Sequence, residues 1–208
     1  TVNGEGTVTA LAYLLDNATV NANLGTGEIV SNGETLLRGN ADADQVIVSE
    51  GTLTVDGALT NNTAAVTIEN GTLAANGTIA ASSIDVQGGA NLTSGEAERL
   101  NDGVALNADG TVSLGGNETI GDLSGSGIIA NNGNDLTVTQ TSNQEFAGNI
   151  TGAGGLTKQG EAGLTLTNGS DFTGDANINA GILTVSGALA TNTINVANGA
   201  TLTTTASD

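Results

Sequence analysis

The residues able to do chemistry are few in kind. Three side chains carry positive charge (Arg38, Arg99 and Lys158) against 22 carboxylates, the net charge is −19, and the chain has no histidine and no cysteine. Without imidazole there is no Ser-His-Asp or Cys-His arrangement and no histidine-bound zinc. Without a thiol there is no disulfide framework, thiolate nucleophile or soft metal site. Carboxylate chemistry stays open, since a glycosidase needs only two acids at a fixed separation. Sugar-binding clefts usually carry aromatic platforms, however, and Tyr13, Phe146 and Phe172 are the whole supply. Phe146 in QEFAGNI and Phe172 in SDFTGDA sit in similar settings, where each ring is expected to fill an inward slot. A polysaccharide lyase would want Arg or Lys beside a neutralised uronate, and the three bases lie in three separate regions. The expectation is therefore no enzyme, with no catalytic, cofactor-binding or metal-binding residue assigned.

Two carboxylate groupings remain. NADADQ (40–45) places Asp42 and Asp44 two apart, so that in a strand they share a face and could present oxygens to a hard cation. An ordinary solvated corner gives the same pattern, so no cofactor is expected and calcium is the one ion left open. SGEAERLNDGVALNADG (94–110) gathers Glu96, Glu98, Arg99 and Asp102, the densest charge in the chain. It is read as a loop or irregular coil and the best candidate contact loop, because segments that leave a rigid scaffold often carry function. A lengthened corner without a partner is the alternative. The overall acidity excludes nucleic acid, whose binding needs clustered Lys and Arg, and disfavours an anionic membrane surface.

These groups must be held by an unusual scaffold. There is no proline, tryptophan or methionine, and glycine numbers 32. Proline removes a ladder donor, so a chain made almost wholly of paired strands avoids it. Scarce aromatics imply a narrow interior of Ala, Val, Leu and Ile in thin layers. Recurrent Val, Ile and Thr in alternation argue for order over disorder.

The chain also repeats itself. VIVSEGTL (46–53) returns as VTIENGTL (66–73), which pairs Val46, Val48, Gly51, Thr52 and Leu53 with Val66, Ile68, Gly71, Thr72 and Leu73 at an offset of twenty. IDVQGGANL (84–92) inserts one residue before Leu92, and INVANGATL (194–202) has that same longer spelling. GTLTVDGALTNNT (51–63) is echoed by GILTVSGALATNT (181–193). Alternation of period two puts Val46 and Val48 on one face, and Asn, Gly and Glu then turn the chain. About twenty residues hold three short strands and three corners, one coil of a right-handed parallel β-helix. About ten coils stacked at roughly 4.8 Å would span about 50 Å. A sandwich wants a packed aromatic core, a leucine-rich repeat needs helical periodicity, and the calcium nonapeptide G-G-x-G-x-D is absent. The fold class is therefore an all-β solenoid, with 1–208 forming a single unit.

The stretch ITGAGGLTKQGEAGLTLTNGSDFTGDANINAGILTVSGAL (150–189) resembles the passenger-associated strand repeat of bacterial autotransporters. The resemblance lies in Gly152, Gly154, Leu156, Thr157, Lys158, Gly160, Leu164, Thr165, Leu166, Gly169, Phe172, Thr173, Gly174, Ile178, Gly181 and Leu183. It departs at Ala162–Gly163, where the second glycine is displaced, and at Asp171, Phe172 and Ile182, where the pattern has Asn, Tyr and Thr. The resemblance implies a Gram-negative passenger exported through an outer-membrane β-barrel, then displayed on or shed from the cell surface. It also implies a structural role for the motif in folding outside the cell. On that reading 1–208 is expected to be a passenger fragment whose targeting segment has been removed and whose barrel lies elsewhere; TLTTTASD would then stop within repeat-like sequence.

The first functional expectation is an adhesin or adhesive stalk, meeting a host surface, an extracellular-matrix component or itself through polar ladders and loops. The second is a folding and spacer segment of a longer passenger, with a β-helical carbohydrate-active enzyme more remote. A third class, ice binding, asks for flat threonine arrays, and TLTV and TLTL do not recur in every turn.

Overall fold

A computed structural model describes residues 1–205. Among them there is no helix: 27 short strands, every pair parallel, wind into a β-solenoid of about ten turns. Three faces run along it. The long face is one nine-stranded sheet from Thr19–Val20 to Asp171–Phe172. The split face is a seven-stranded sheet from Ala12–Asp16 to Leu123–Ser124. A bridge between Gly125 and Phe146 carries it into a four-stranded sheet from Gln144–Phe146 to Thr201–Thr204. The late face begins as a two-stranded sheet of Thr7–Val8 and Asn23–Leu24 and thins to single bridges joining Leu24, Ala41, Leu59, Ile79 and Leu100. It becomes a five-stranded sheet only from Glu118–Ile120 to Ile194–Val196.

The alternation read from the sequence decides what goes inside. On the split face Val46, Val66, Ile84, Leu106 and Leu123 stack in one column. On the long face Leu53, Leu73, Leu92, Val112, Ile129 and Ile150 form another. All are buried, and one apolar cluster runs from Tyr13 to Val185. Each such side chain stabilises the rod by roughly 1.5–3 kcal/mol relative to exposure. Tyr13 keeps its ring inside because its hydroxyl donates to Val8 O at 2.8 Å and accepts from the Ala10 N–H at 3.1 Å.

The twenty-residue offset is the observed register: Val46 sits on Val66, and Gly51 on Gly71. The inserted residue near 88–90 goes into the corner, where the Ala90 N–H donates to Gln87 O at 2.9 Å, and Leu92 stays on Leu73. Corners stack as tightly as strands do. A methyl group at Gly77 would land on the carbonyl oxygen of Gly57 one coil below, so no larger residue fits there. INVANGATL differs from the register its spelling suggests. Ile84–Val86 lies on the split face, whereas Ile194–Val196 lies on the late face.

Candidate functional site

The charged stretch is less irregular than its sequence suggests. Asn91–Ser94, Ala105–Ala108 and Thr111–Leu114 are ordinary strands, so only 95–104 leaves the repeat. The Gly95 N–H still donates to Ala75 O at 2.8 Å before the chain swings outward. Glu98 takes φ +52°, and the chain returns where the Ile79 N–H donates to Arg99 O at 2.7 Å. Leu100 is buried, and the Val104 N–H closes the turn on Asn101 O at 2.8 Å. Glu96, Glu98 and Asp102 are exposed and Arg99 is half-buried. Arg99 pairs with Glu96, while Asp102 lies past the Leu100 bridge in the following turn. A shallow depression of about 160 Å³ lies beside them, lined by Thr78, Ala80, Glu98, Arg99 and Asn101 among others.

Directly above this corner sits a residue the sequence reading missed. Glu118 is only 1% exposed and faces inward, in register with Leu136. The Glu98 N–H donates to Asn117 O at 2.9 Å, but no backbone bridge joins Leu100 to this coil among the described pairs, and the carboxylate takes the next two N–H groups. Oε1 accepts the Arg99 N–H at 2.9 Å and Oε2 the Leu100 N–H at 3.2 Å. Burial pushes the Glu118 carboxyl above the usual glutamate range and the nearby Glu98 charge adds to this, against the opposing pull of these N–H bonds and the Ser94 hydroxyl.

Lys158 is the second inward charge. Its Nζ donates to the carbonyls of Gln159 (2.7 Å), Gly160 (2.9 Å) and Ala180 (3.2 Å), which matches its three donors. Burial lowers its pKa, partly offset by the charges of Glu161 and Asp122. Both residues were legible in principle. In ETI (118–120) and LTK (156–158) the charged residue sits in the inward phase of the alternation, beside an outward threonine.

The other candidates separate. Asp42 and Asp44 are exposed on either side of buried Ala43, and Asp44 accepts from Asn61 Nδ2 at 3.1 Å. No group of three acids that could hold a metal ion occurs among the described residues. Phe146 and Phe172 are fully buried, each filling an inward slot. Arg38 is exposed, far along the chain from Arg99 and Lys158.

Outside, polar side chains form ladders across coils. Asn107 Nδ2 donates to Asp85 Oδ1 at 2.8 Å and to Asp109 Oδ2 at 3.1 Å, and its own Oδ1 accepts from Ser124 Oγ at 3.2 Å. The Ser126 hydroxyl and Asn107 hold Asp109 below the usual aspartate range. Asp122 is partly desolvated, which works against its charge. The Ser142 hydroxyl (2.6 Å) and the Thr141 N–H (2.6 Å) outweigh that and lower its pKa.

In comparisons with known proteins, the chain matches no family model, no curated relative and no solved structure.

Proposed function

We propose that the chain is a non-enzymatic segment of a secreted, surface-displayed passenger from a Gram-negative outer membrane, and that its work is attachment. One observation carries the reading: the aromatic rings and Lys158 are used inside the rod, and its surface carries polar side chains hydrogen-bonded across coils and the charged 95–104 corner, beside scattered apolar residues such as Leu11 and Leu14. Phe146, Phe172 and Lys158 are buried, and Glu96, Glu98 and Asp102 are exposed. Polar ladders that link successive coils, as Asn107 links Asp85 and Ser124, suit many weak contacts in parallel, where avidity replaces a deep pocket. The partners that fit are a host-surface or matrix component or a second copy, with calcium as an optional ion, and the proposal places an outer-membrane barrel elsewhere in the full protein. Immobilised chain should hold cells, matrix proteins or its own copies under physiological salt and calcium, and turn over no glycan. Absence of all binding would remove the adhesive reading.

A second reading, a folding and spacer segment, is favoured by the motif at 150–189. Its residues lie in successive strands, among them Asn149–Gly152, Leu156–Gln159, Gly163–Leu166 and Ile182–Val185. Deleting the segment from the longer protein separates the two. Lost secretion favours the scaffold, and retained secretion with lost attachment favours the adhesin.

A further inference from the structure

Glu118 does something no other acid in the described chain does. It occupies an inward column and, beside the single backbone bond from the Glu98 N–H to Asn117 O at 2.9 Å, holds the next two N–H groups of the Leu100 coil to its own. The charges around it are nearly all of its own sign. Glu98 faces it from the coil below, with Glu96 farther out and Asp102 past the Leu100 bridge in the following turn. Asp135 on the coil above accepts the Glu118 N–H at its carbonyl, at 3.0 Å, and uses its carboxylate on the Gly155 N–H at 2.8 Å. The one nearby cation, Arg99, spends Nη2 of its guanidinium on Glu96, while its Nε is buried without a partner. Lys158 lies two coils farther on, with its ammonium spent on three carbonyls. The buried charge therefore has two backbone N–H groups and the Ser94 hydroxyl for company and no counter-ion.

We propose that Glu118 is a proton-responsive latch, holding the 95–103 corner against the coil above more firmly when its carboxyl is neutral than when it is charged. Swinging the corner out would hydrate the carboxylate and return it to an ordinary acid. The closed corner thus keeps its proton to higher pH than the open one. By linkage, closure gains as pH falls through the closed-state value and that gain is lost as pH rises to neutral. Protonation weakens one accepted N–H bond, but the sign follows from which state holds the proton more tightly. The latch stands independently of whether the chain is adhesive.

The test is amide hydrogen exchange on the intact chain, corrected for intrinsic rates, at roughly pH 5 and roughly pH 7.5, with a carbon-13 titration of the Glu118 carboxyl. Opening at Arg99 and Leu100 should fall several-fold at the acid end, while Leu53 and Leu73 stay level. Glu118→Gln should abolish that difference at a lower absolute protection, because its amide group opposes one of the two N–H donors. Should the variant fail to fold, the wild-type titration decides alone. The latch is wrong if Glu118 titrates in or below the ordinary glutamate range, or if Arg99 and Leu100 open equally or more readily in acid. It is equally wrong if Glu118→Gln keeps the pH slope.

Discussion

GTLTVDGALTNNT (51–63) and GILTVSGALATNT (181–193) are nearly the same peptide folded in two places. In the first, Gly51–Val55 lies on the long face, Leu59 bridges Ala41 and Ile79 on the late face, and the chain re-enters on the split face at Ala65–Ile68. In the second, Ile182–Val185 lies on the split face, Leu189 bridges Ser170 on the long face, and re-entry is on the late face at Ile194–Val196. The local order of strand, corner, single bridge and strand is preserved, but rotated by one face. The slip occurs between Thr111–Leu114 and Gln144–Phe146, where Glu118–Ile120, Leu123–Ser124 and Ile128–Ala130 put a short strand on every face. The peptide thus specifies its own bends, and the lengths of the coils before it decide which way it looks.

Matched truncations test this most severely. Leu53 is capped inside by Leu73 on one side and by Thr35 on the other, whereas Leu183 lies between Leu164 and the half-exposed Leu202. Leu53→Ala should cost about 3–5 kcal/mol in urea unfolding and Leu183→Ala about 2–3, since a site near open packing relaxes more. Equal losses would mean that the peptide carries its own stability wherever it lies. A larger loss at Leu183 would overturn the account of the two settings.

Among the described residues only the late face carries inward charges, so Lys158→Met should expose what they do there. Methionine fills the volume but leaves the carbonyls of Gln159, Gly160 and Ala180 without their donor. The expected loss is about 2–3 kcal/mol by thermal unfolding, from the cost of unsatisfied buried acceptors. A neutral or stabilising result would show that water reaches those carbonyls.

Solenoid class, strand rhythm and the buried aromatics were all legible, because a period of two with aliphatics on one side admits few other folds. Leu53 on Leu73 could be read letter by letter. The face on which 181–193 lies could not, because it depends on coil lengths accumulated over the whole preceding chain. Glu96, Glu98 and Arg99 lie together in one corner and Asp102 in the turn past the Leu100 bridge, but the inward acid that meets this corner, Glu118, does not stand out in the sequence. The density of charge in the sequence marks the exposed corner, whereas the inward phase of a single acid marks the residue that holds it. An exposed pair such as Asp42 and Asp44 reads loudly and is solvated; a lone inward acid reads quietly and holds a coil.

The two kinds of acid should oppose each other in titration. Glu118 is raised, so its contribution is present at low pH and fades as pH rises through its closed-state value. Asp109 and Asp122 are lowered, so theirs is present above the ordinary aspartate range and is lost as pH falls toward their folded-state values. Unfolding midpoints should rise slightly on mild acidification and then drop. Asp122→Asn should flatten the drop and leave the rise, and a variant that removes both would show that the acids are coupled.

The smallest effect belongs to the outer ladders. Asn107 joins Asp85, Asp109 and Ser124 across three coils of the split face, and in the late region Asn195 donates to Asn177 at 2.8 Å. Half-exposed hydrogen bonds exchange with water at little net gain, so Asn107→Ala should cost about 0.5 kcal/mol, the low end for a protein hydrogen bond. It should also let the Asp109 carboxyl drift up toward its ordinary range, since Asn107 helps hold it down. Asn177→Ala lies on another face with no shared partner, and the two losses should add to within about 0.5 kcal/mol. A loss above about 2 kcal/mol at Asn107 would mean that the rod is held from outside as much as from within. The ladders would then be too committed to the fold to be given up to a binding partner, and attachment would have to fall to the 95–104 corner alone.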